Sequence, residues 1–254
     1  GLDKPFIVQY ANWVVNAAQG DLGMSYSAKK PVVDRMLEAL PGTVMLAGTA
    51  LVFTLLYALP AGIISAVNRN KWVDYVLRSL SFVGVSMPSF WLGLVLIYIF
   101  GLKLGLVPIA TSRITPIGVI LPAATLAVVI GSKYMRQVRL VILEEMEKDY
   151  VIGARARGVS EMKILFGHIL PNAVLPLITI LGVAMGWLLG GVAVVEMVFS
   201  WPGLGNMAVY AITMRDYPLI EGFVLWVALA YMCINALVDA SYILLDPRLK
   251  RERA

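Results

Sequence analysis

Between Thr43 and Val67 the chain runs for 25 residues without a charge, and further stretches approach or exceed it. A charge-free apolar run longer than eighteen residues suits the roughly 30 Å hydrocarbon core of a bilayer and little else. Composition agrees: 59% of the 254 residues are hydrophobic, only 15% are charged, and the mean hydropathy is +0.80. Five spans are expected, at Thr43–Val67 with a kink at Pro60, Leu80–Phe100 containing Pro88, and Ile117 through Gly131 into a basic end at Lys133, Arg136 and Arg139, then Ala173–Val198 and Leu219–Leu245. The expected fold is an all-α integral membrane protein, a polytopic helical bundle. A single Cys and a single His leave no disulfide framework and no multi-His or multi-Cys metal site within this chain.

Charge asymmetry gives an expected orientation. The 68–78 turn (Arg69, Lys71, Arg78), the 133–170 segment and the tail (Arg248, Lys250, Arg251, Arg253) hold about two thirds of the 21 Lys and Arg. That side is expected to be cytoplasmic, with the C-terminus inside and residues 1–36 outside. Segment 1–36, with Tyr10, Trp13 and Tyr26, reads as an external interfacial element. An outside N-terminal segment without a signal of its own implies one more helix before Gly1. The remaining organisation is a transmembrane domain over 37–246, including a basic loop at 148–171, and a basic tail at 247–254.

The loop DYVIGARARGVSEMKILFGHILP (149–171) keeps a helical pattern between two apolar stretches. Ile152, Ala154, Val159, Met162 and Leu165 give it a partly apolar face, and Arg155, Arg157 and Lys163 supply charge. Ala154 and Gly158, four apart, would let a partner backbone approach closely. Leu170-Pro171 would end the segment. By pattern alone the loop is either a partner-docking helix or an interfacial helix held by anionic lipid.

Other features carry weaker signals. Gly182, Gly186 and Gly190 line one helix face and allow close helix packing, as a static contact or a sliding seam. Glu196 sits where a helix dipole disfavours a carboxylate, so it needs a partner, with Arg215 the nearest candidate in sequence. With the turn Trp201-Pro202-Gly203, that pair is either a structural clasp or an outer gate. Asn235 and Asp239 share a face of the last span, as interhelical glue or pathway lining; Asp239 has Arg248 as a candidate partner. The Met residues suit core filling better than a soft-metal site. Ser86 has no general base near it in the spans, which argues against an intramembrane hydrolase. A stand-alone secondary transporter or channel is the alternative, but spans one to four lack the expected mid-membrane charge.

From GDLGMS (20–25), MPSFWLGL (87–94), DYVIGARARG (149–158), VVEMVFSWPGLG (194–205), RDYPLIEG (215–222) and LLDPRLK (244–250), the chain resembles the permease subunits of ATP-driven (ABC) importers of the peptide and nickel branch. Ile152 and His168 depart from the general loop signature in the way typical of that branch. The resemblance implies a non-catalytic subunit of the bacterial inner membrane. It also implies a second permease, usually different, two cytoplasmic ATPase subunits and an external substrate-binding protein, with membrane lipid around the complex and no nucleic acid. It assigns Ala154, Arg155, Arg157, Gly158, Met162, Leu170 and Pro171 to coupling with the ATPases. ATP and Mg would bind the partners, because this chain lacks a G-x-x-x-x-G-K-[ST] loop. The cargo implied is nickel, as a chelate, or short peptides, with RQVRLVILEEMEKDYVIGARARG (136–158) slightly closer to nickel-type members.

Overall fold

The computed structural model describes residues 3–245, excluding the side chains of 187, 189–191 and 241–245. The expected tail at 247–254, and with it Arg248, lies outside the described residues. The elements are α1 (Phe6–Ala18), α2 (Val32–Val67), α3 (Trp72–Ser86), α4 (Ser89–Leu96), α5 (Ile120–Met146), α6 (Asp149–Ala156), α7 (Glu161–Ile164), α8 (Leu170–Val198), α9 (Leu204–Thr213) and α10 (Tyr217–Leu245). Wide π-helical turns follow α4 at Ile97–Lys103 and join α7 to α8 at Leu165–Ile169. The described residues form no β-strand, and the architecture is an all-α membrane bundle.

Three helical stretches are long and apolar enough to cross a membrane: Val32–Val67, Glu161–Gly186 and Tyr217–Ala240. Two of the expected spans need correction. The Leu80–Phe100 span is not one rod. The helix breaks at Met87-Pro88 and bends by 103° into α4 and its π turn. Proline drives the residue before it out of the helical region, and Met87 adopts an extended ψ of 127°. Pro41 and Pro60, in contrast, lie inside an unbroken α2.

The third span does not end at its basic residues. The helix continues to Met146, which places Lys133 at its midpoint rather than its end. Its inner face, including Tyr134, Met135, Val138 and Ile142, is buried, while Lys133 and Arg136 point outward. Hydropathy averages over both faces, so a helix with one charged side falls below the apolarity of a lipid-facing span.

α5 is the element around which the bundle is arranged. α2 runs beside it in the same direction: Tyr57 donates to the Ala127 carbonyl at 3.0 Å, and at one end Arg69 pairs with Glu147 at 2.6 Å. A Cβ at Gly62 would meet Val138 at 2.7 Å, so glycine there lets the two helices close. Where α3 leaves α2, the Asp74 carboxylate receives two hydrogen bonds from Arg139 of α5, both at 2.8 Å, and further ones from Ser65 and the Asn70 backbone. That cluster fixes three helices at the same end of the bundle as α6 and α7.

α1 lies apart, with no buried residue, and a short turn pairs Met24 with Pro31 before α2 begins. Helix α2 therefore starts four residues before the expected boundary at 36. Asp216, between α9 and α10, anchors this turn by accepting from Ser25 Oγ at 2.6 Å, Ser27 Oγ at 2.7 Å and the Ser27 backbone at 2.9 Å. Burial alone would raise its pKa, but these donors and the Tyr26 backbone outweigh it and hold the carboxyl below the usual carboxylate range.

Candidate functional site

The 149–171 loop folds as two short helices joined by a turn that backbone hydrogen bonds define. Helix α6 ends in a Schellman motif: Gly158 N donates to Arg155 O at 2.9 Å and Val159 N to Ala154 O at 3.2 Å. This needs a left-handed residue after the cap, and Gly158 has φ +76°. No heavy atom lies within 4 Å of a Cβ built there. Its glycine therefore answers a local backbone demand, whatever approaches its exposed face. Gly158→Val is expected to cost about 1–2 kcal/mol through left-handed strain, with Gly158→Asn closer to wild type. Thermal unfolding of the purified complex checks this order.

Ala154, expected to let a partner backbone approach, is placed otherwise. It is 1% exposed and packs inward with Val151, Ile164, Leu165 and Ile169 against the α5 residues Tyr134, Val138 and Ile142. It anchors the loop to the bundle instead of offering a surface. Arg155 is engaged within the loop, donating to Glu161 through Nε at 2.8 Å and Nη2 at 3.1 Å, which ties α6 to α7. The Tyr150 hydroxyl donates to Glu145 at 2.6 Å, and burial together with that bond pushes its pKa to about 12. Left outward are Ile152, Met162 and Phe166, at 55%, 65% and 60% exposure, with Arg157 and Lys163 beside them in sequence. Large apolar side chains rimmed by cations form an exposed patch of the kind that suits a partner.

Leu170-Pro171 does not terminate the segment. The helical path from Glu161 to Val198 is continuous, and the π turn at Leu165–Ile169 directly precedes the proline. A wider hydrogen-bond register there accommodates a residue without an N–H. Leu170 packs at the edge of the α5 cluster, and Pro171 is exposed.

The far end of α8 carries a second constellation. Glu196 is fully buried and does not meet Arg215, which is exposed in a left-handed turn with φ +55°. Its carboxyl accepts instead from Thr43 Oγ1 at 2.7 Å and from the Asn206 backbone N–H at 2.9 Å. Thr43 Oγ1 in turn accepts from Leu204 N at 2.8 Å. Leu204 and Asn206 are in the first turn of α9, whose N-cap is Gly203 and has no side chain to offer. The open N–H groups and dipole of that helix end take the role expected of a cation.

Trp201 completes the latch, fully buried and donating from Nε1 to the Gly42 carbonyl at 2.8 Å. A Cβ at Gly42 would fall on the Pro202 carbonyl, and one at Gly203 on the Glu196 carboxyl. Both glycines and Pro202 therefore sit where α2, α8 and α9 come closest. Thr43, Asn206 and Gly42 were not legible as partners, because Thr43 is 153 residues from Glu196.

Gly182 and Gly186 face α10, where added Cβ atoms would meet Val238 and Tyr231. The surroundings of Gly190 lie outside the described residues. Asn235 is half-buried on α10 and Asp239 is exposed.

The comparisons with known proteins follow this geometry. Residues 58–251 match the family model described as binding-protein-dependent transport system inner membrane component. The chain is 38% identical over 250 residues to the glutathione transport system permease protein GsiC of Escherichia coli (strain K12), covering 98% of this chain and 81% of that one. The same protein of Shigella dysenteriae serotype 1 (strain Sd197) matches with equal identity and coverage. Among solved structures, the inward-facing MetNI methionine ABC transporter (CY5 native crystal form) aligns with a TM-score of 0.70 at 17% identity, covering 83% of this chain and 96% of that one. An amino acid ABC transporter with histidines aligns with a TM-score of 0.63 at 18% identity, covering 82% and 92%. The structural likenesses carry the fold, and the sequence matches carry the family. This chain belongs to the binding-protein-dependent transport system inner membrane components, as an ABC-importer permease of the peptide and nickel branch.

Proposed function

We propose that this permease forms half of the pathway of an importer for short peptides, paired with a second, different permease. Two ATPase subunits holding ATP and Mg dock on the α6–α7 loop, and an external binding protein delivers cargo to the end bearing Glu196 and Trp201. The loop end and the C-terminus are cytoplasmic, following the positive-inside bias. The observation that carries this reading is the loop's outward Ile152, Met162 and Phe166 and its inner face packed on α5. A partner that grips the outward face moves α5 and α8 with it, because Val151, Ala154 and Ile164 leave no slack between them. ATP-driven closure of the ATPase pair then tilts these helices and opens the pathway to the far side, and hydrolysis resets it.

Two observations favour peptide cargo. The 38% identical relatives are named for glutathione transport, itself a peptide. Arg78, Lys133, Arg136 and Arg139 line two cavities along α5, where Asp74 answers only Arg139. A wall with surplus positive charge repels free metal cations and suits cargo bearing carboxylates. A nickel chelate, which the 136–158 stretch favours, is the second reading.

Met162→Asp tests the docking face, since a carboxylate there would be desolvated by any apolar partner surface. The expected result is at least about tenfold weaker ATPase copurification at normal membrane abundance. Undiminished copurification and undiminished cargo-stimulated ATP hydrolysis would overturn the assignment. Loading the matching binding protein with peptide or nickel chelate, and asking which one stimulates the reconstituted complex, separates the two cargo readings.

A further inference from the structure

Lys133 occupies the midpoint of the 27-residue α5, roughly 20 Å along the axis from either end at the helical rise. Its level is set by its neighbours: Tyr134 donates to the Leu177 carbonyl of α8 at 3.3 Å, and Tyr57 of α2 bonds the Ala127 carbonyl. Both belong to charge-free parts of their helices. Lys133 thus stands level with apolar parts of α2 and α8, yet it is exposed on this chain and makes no hydrogen bond or ion pair with the described residues. The next carboxylates along its own helix begin at Glu144, roughly 16 Å further on.

An ionised group at that level turns to a water-filled cavity or a partner, not to lipid. Here it borders a cavity of about 390 Å³ between α3, α5 and α8. Val85, Ile130 and Val183 supply apolar wall, and Gln137 and Thr179 stand beside Lys133 as the polar lining. The size falls in the range of small-ligand pockets, about 300–1,000 Å³. The adjoining cavity carries Arg78 and Arg136. One side of the bundle therefore offers apolar wall, amide and hydroxyl, and an unanswered positive charge.

We propose that Lys133 is a contact for the cargo's carboxylate, the free C-terminal group of a short peptide passing along the α3–α5–α8 face. This rests on the peptide reading above. Gln137, one turn along the same helix face, hydrogen-bonds the peptide's amides, and the valine and isoleucine wall accepts its side chains. A single solvated ion pair holds an anion without trapping it, which is what passage requires.

The test uses the complete complex with its binding protein in proteoliposomes. Uptake of one dipeptide with a free C-terminus is compared with uptake of its C-terminal amide. The binding protein is the same throughout, so a change in the ratio between permease variants belongs to the permease. K133Q is expected to lower the acid-to-amide ratio about tenfold, the scale of one charge-assisted hydrogen bond, while K133R keeps it. A structural role would scale both peptides together, so an unchanged ratio in K133Q overturns the proposal.

A second measurement is independent of uptake. K133C, in a C233A background, is expected to react with a membrane-impermeant thiosulfonate and to be protected by saturating peptide. A cysteine that does not react faces lipid or a carboxylate of the second permease, and that outcome also overturns the site. If the wild-type complex moves nickel chelate and neither peptide, the peptide reading falls and this site with it. If it moves peptide and K133Q leaves the ratio intact, only the site falls.

Discussion

Asp74→Ala is expected to remove most of the folded protein from the membrane, through Arg139 rather than through any effect on transport. The Asp74 side chain is fully buried and that of Arg139 is 13% exposed. Their two bonds of 2.8 Å form a fork-to-fork pair, closed by Ser65 and the Asn70 backbone. Removing one partner of a buried pair costs about 3–5 kcal/mol, because the surviving charge stays desolvated without compensation. That is a large part of the roughly 5–15 kcal/mol that holds a typical domain together. Removing both charges is far milder, since an apolar pair of similar volume is often neutral. The expected pattern is low yield and a strongly lowered Tm for Asp74→Ala and for Arg139→Met, with recovery in the double variant. Wild-type Tm in either single variant would show that the pair contributes nothing.

Glu196→Ala is expected to be the second most damaging change, at about 3 kcal/mol, because several donors lose their acceptor at once. Thr43 Oγ1 and the Asn206 N–H would both point at a void left between α8 and α9, where water has little access. Leu204 N would keep Thr43, but Thr43 would lose the bond that orients it. Glu196→Gln keeps one acceptor oxygen and turns an NH₂ toward groups that are themselves donors, so it should fall between wild type and alanine. Hydrogen exchange at Leu204–Asn206 checks the mechanism, with faster exchange expected there before any change in α5. Because Trp201 and Pro202 close on α2 through the same cluster, transport should fall even where folded protein persists. Unchanged exchange in Glu196→Ala would remove the latch from this account.

Membrane residence and the all-helical class were legible in the sequence, because hydropathy is a local property and a charge-free run of 25 residues admits few alternatives. The position of the loop at 149–171 was legible for the same reason, as a basic helical pattern between apolar runs. Helix breaks were read less well. Pro60 stays within an unbroken helix and at Pro88 the helix breaks and bends by 103°, and nothing within a few residues of either distinguishes them.

What only the tertiary structure decided is how each helix is rotated and which distant residues it meets. Rotation turns Ala154 inward and Met162 outward, though both belonged to one expected apolar face. It leaves Lys133 without an answering charge among the described residues and gives Arg139, six residues on, a buried one. Length along the chain cannot carry such information: Glu196 finds Thr43 across 153 residues and a helix end instead of the nearby Arg215. Apolar runs determine that a segment is buried from water. Pairing and facing are settled only when three helices meet, since a polar group in a low-dielectric interior takes whichever partner the packing brings within reach.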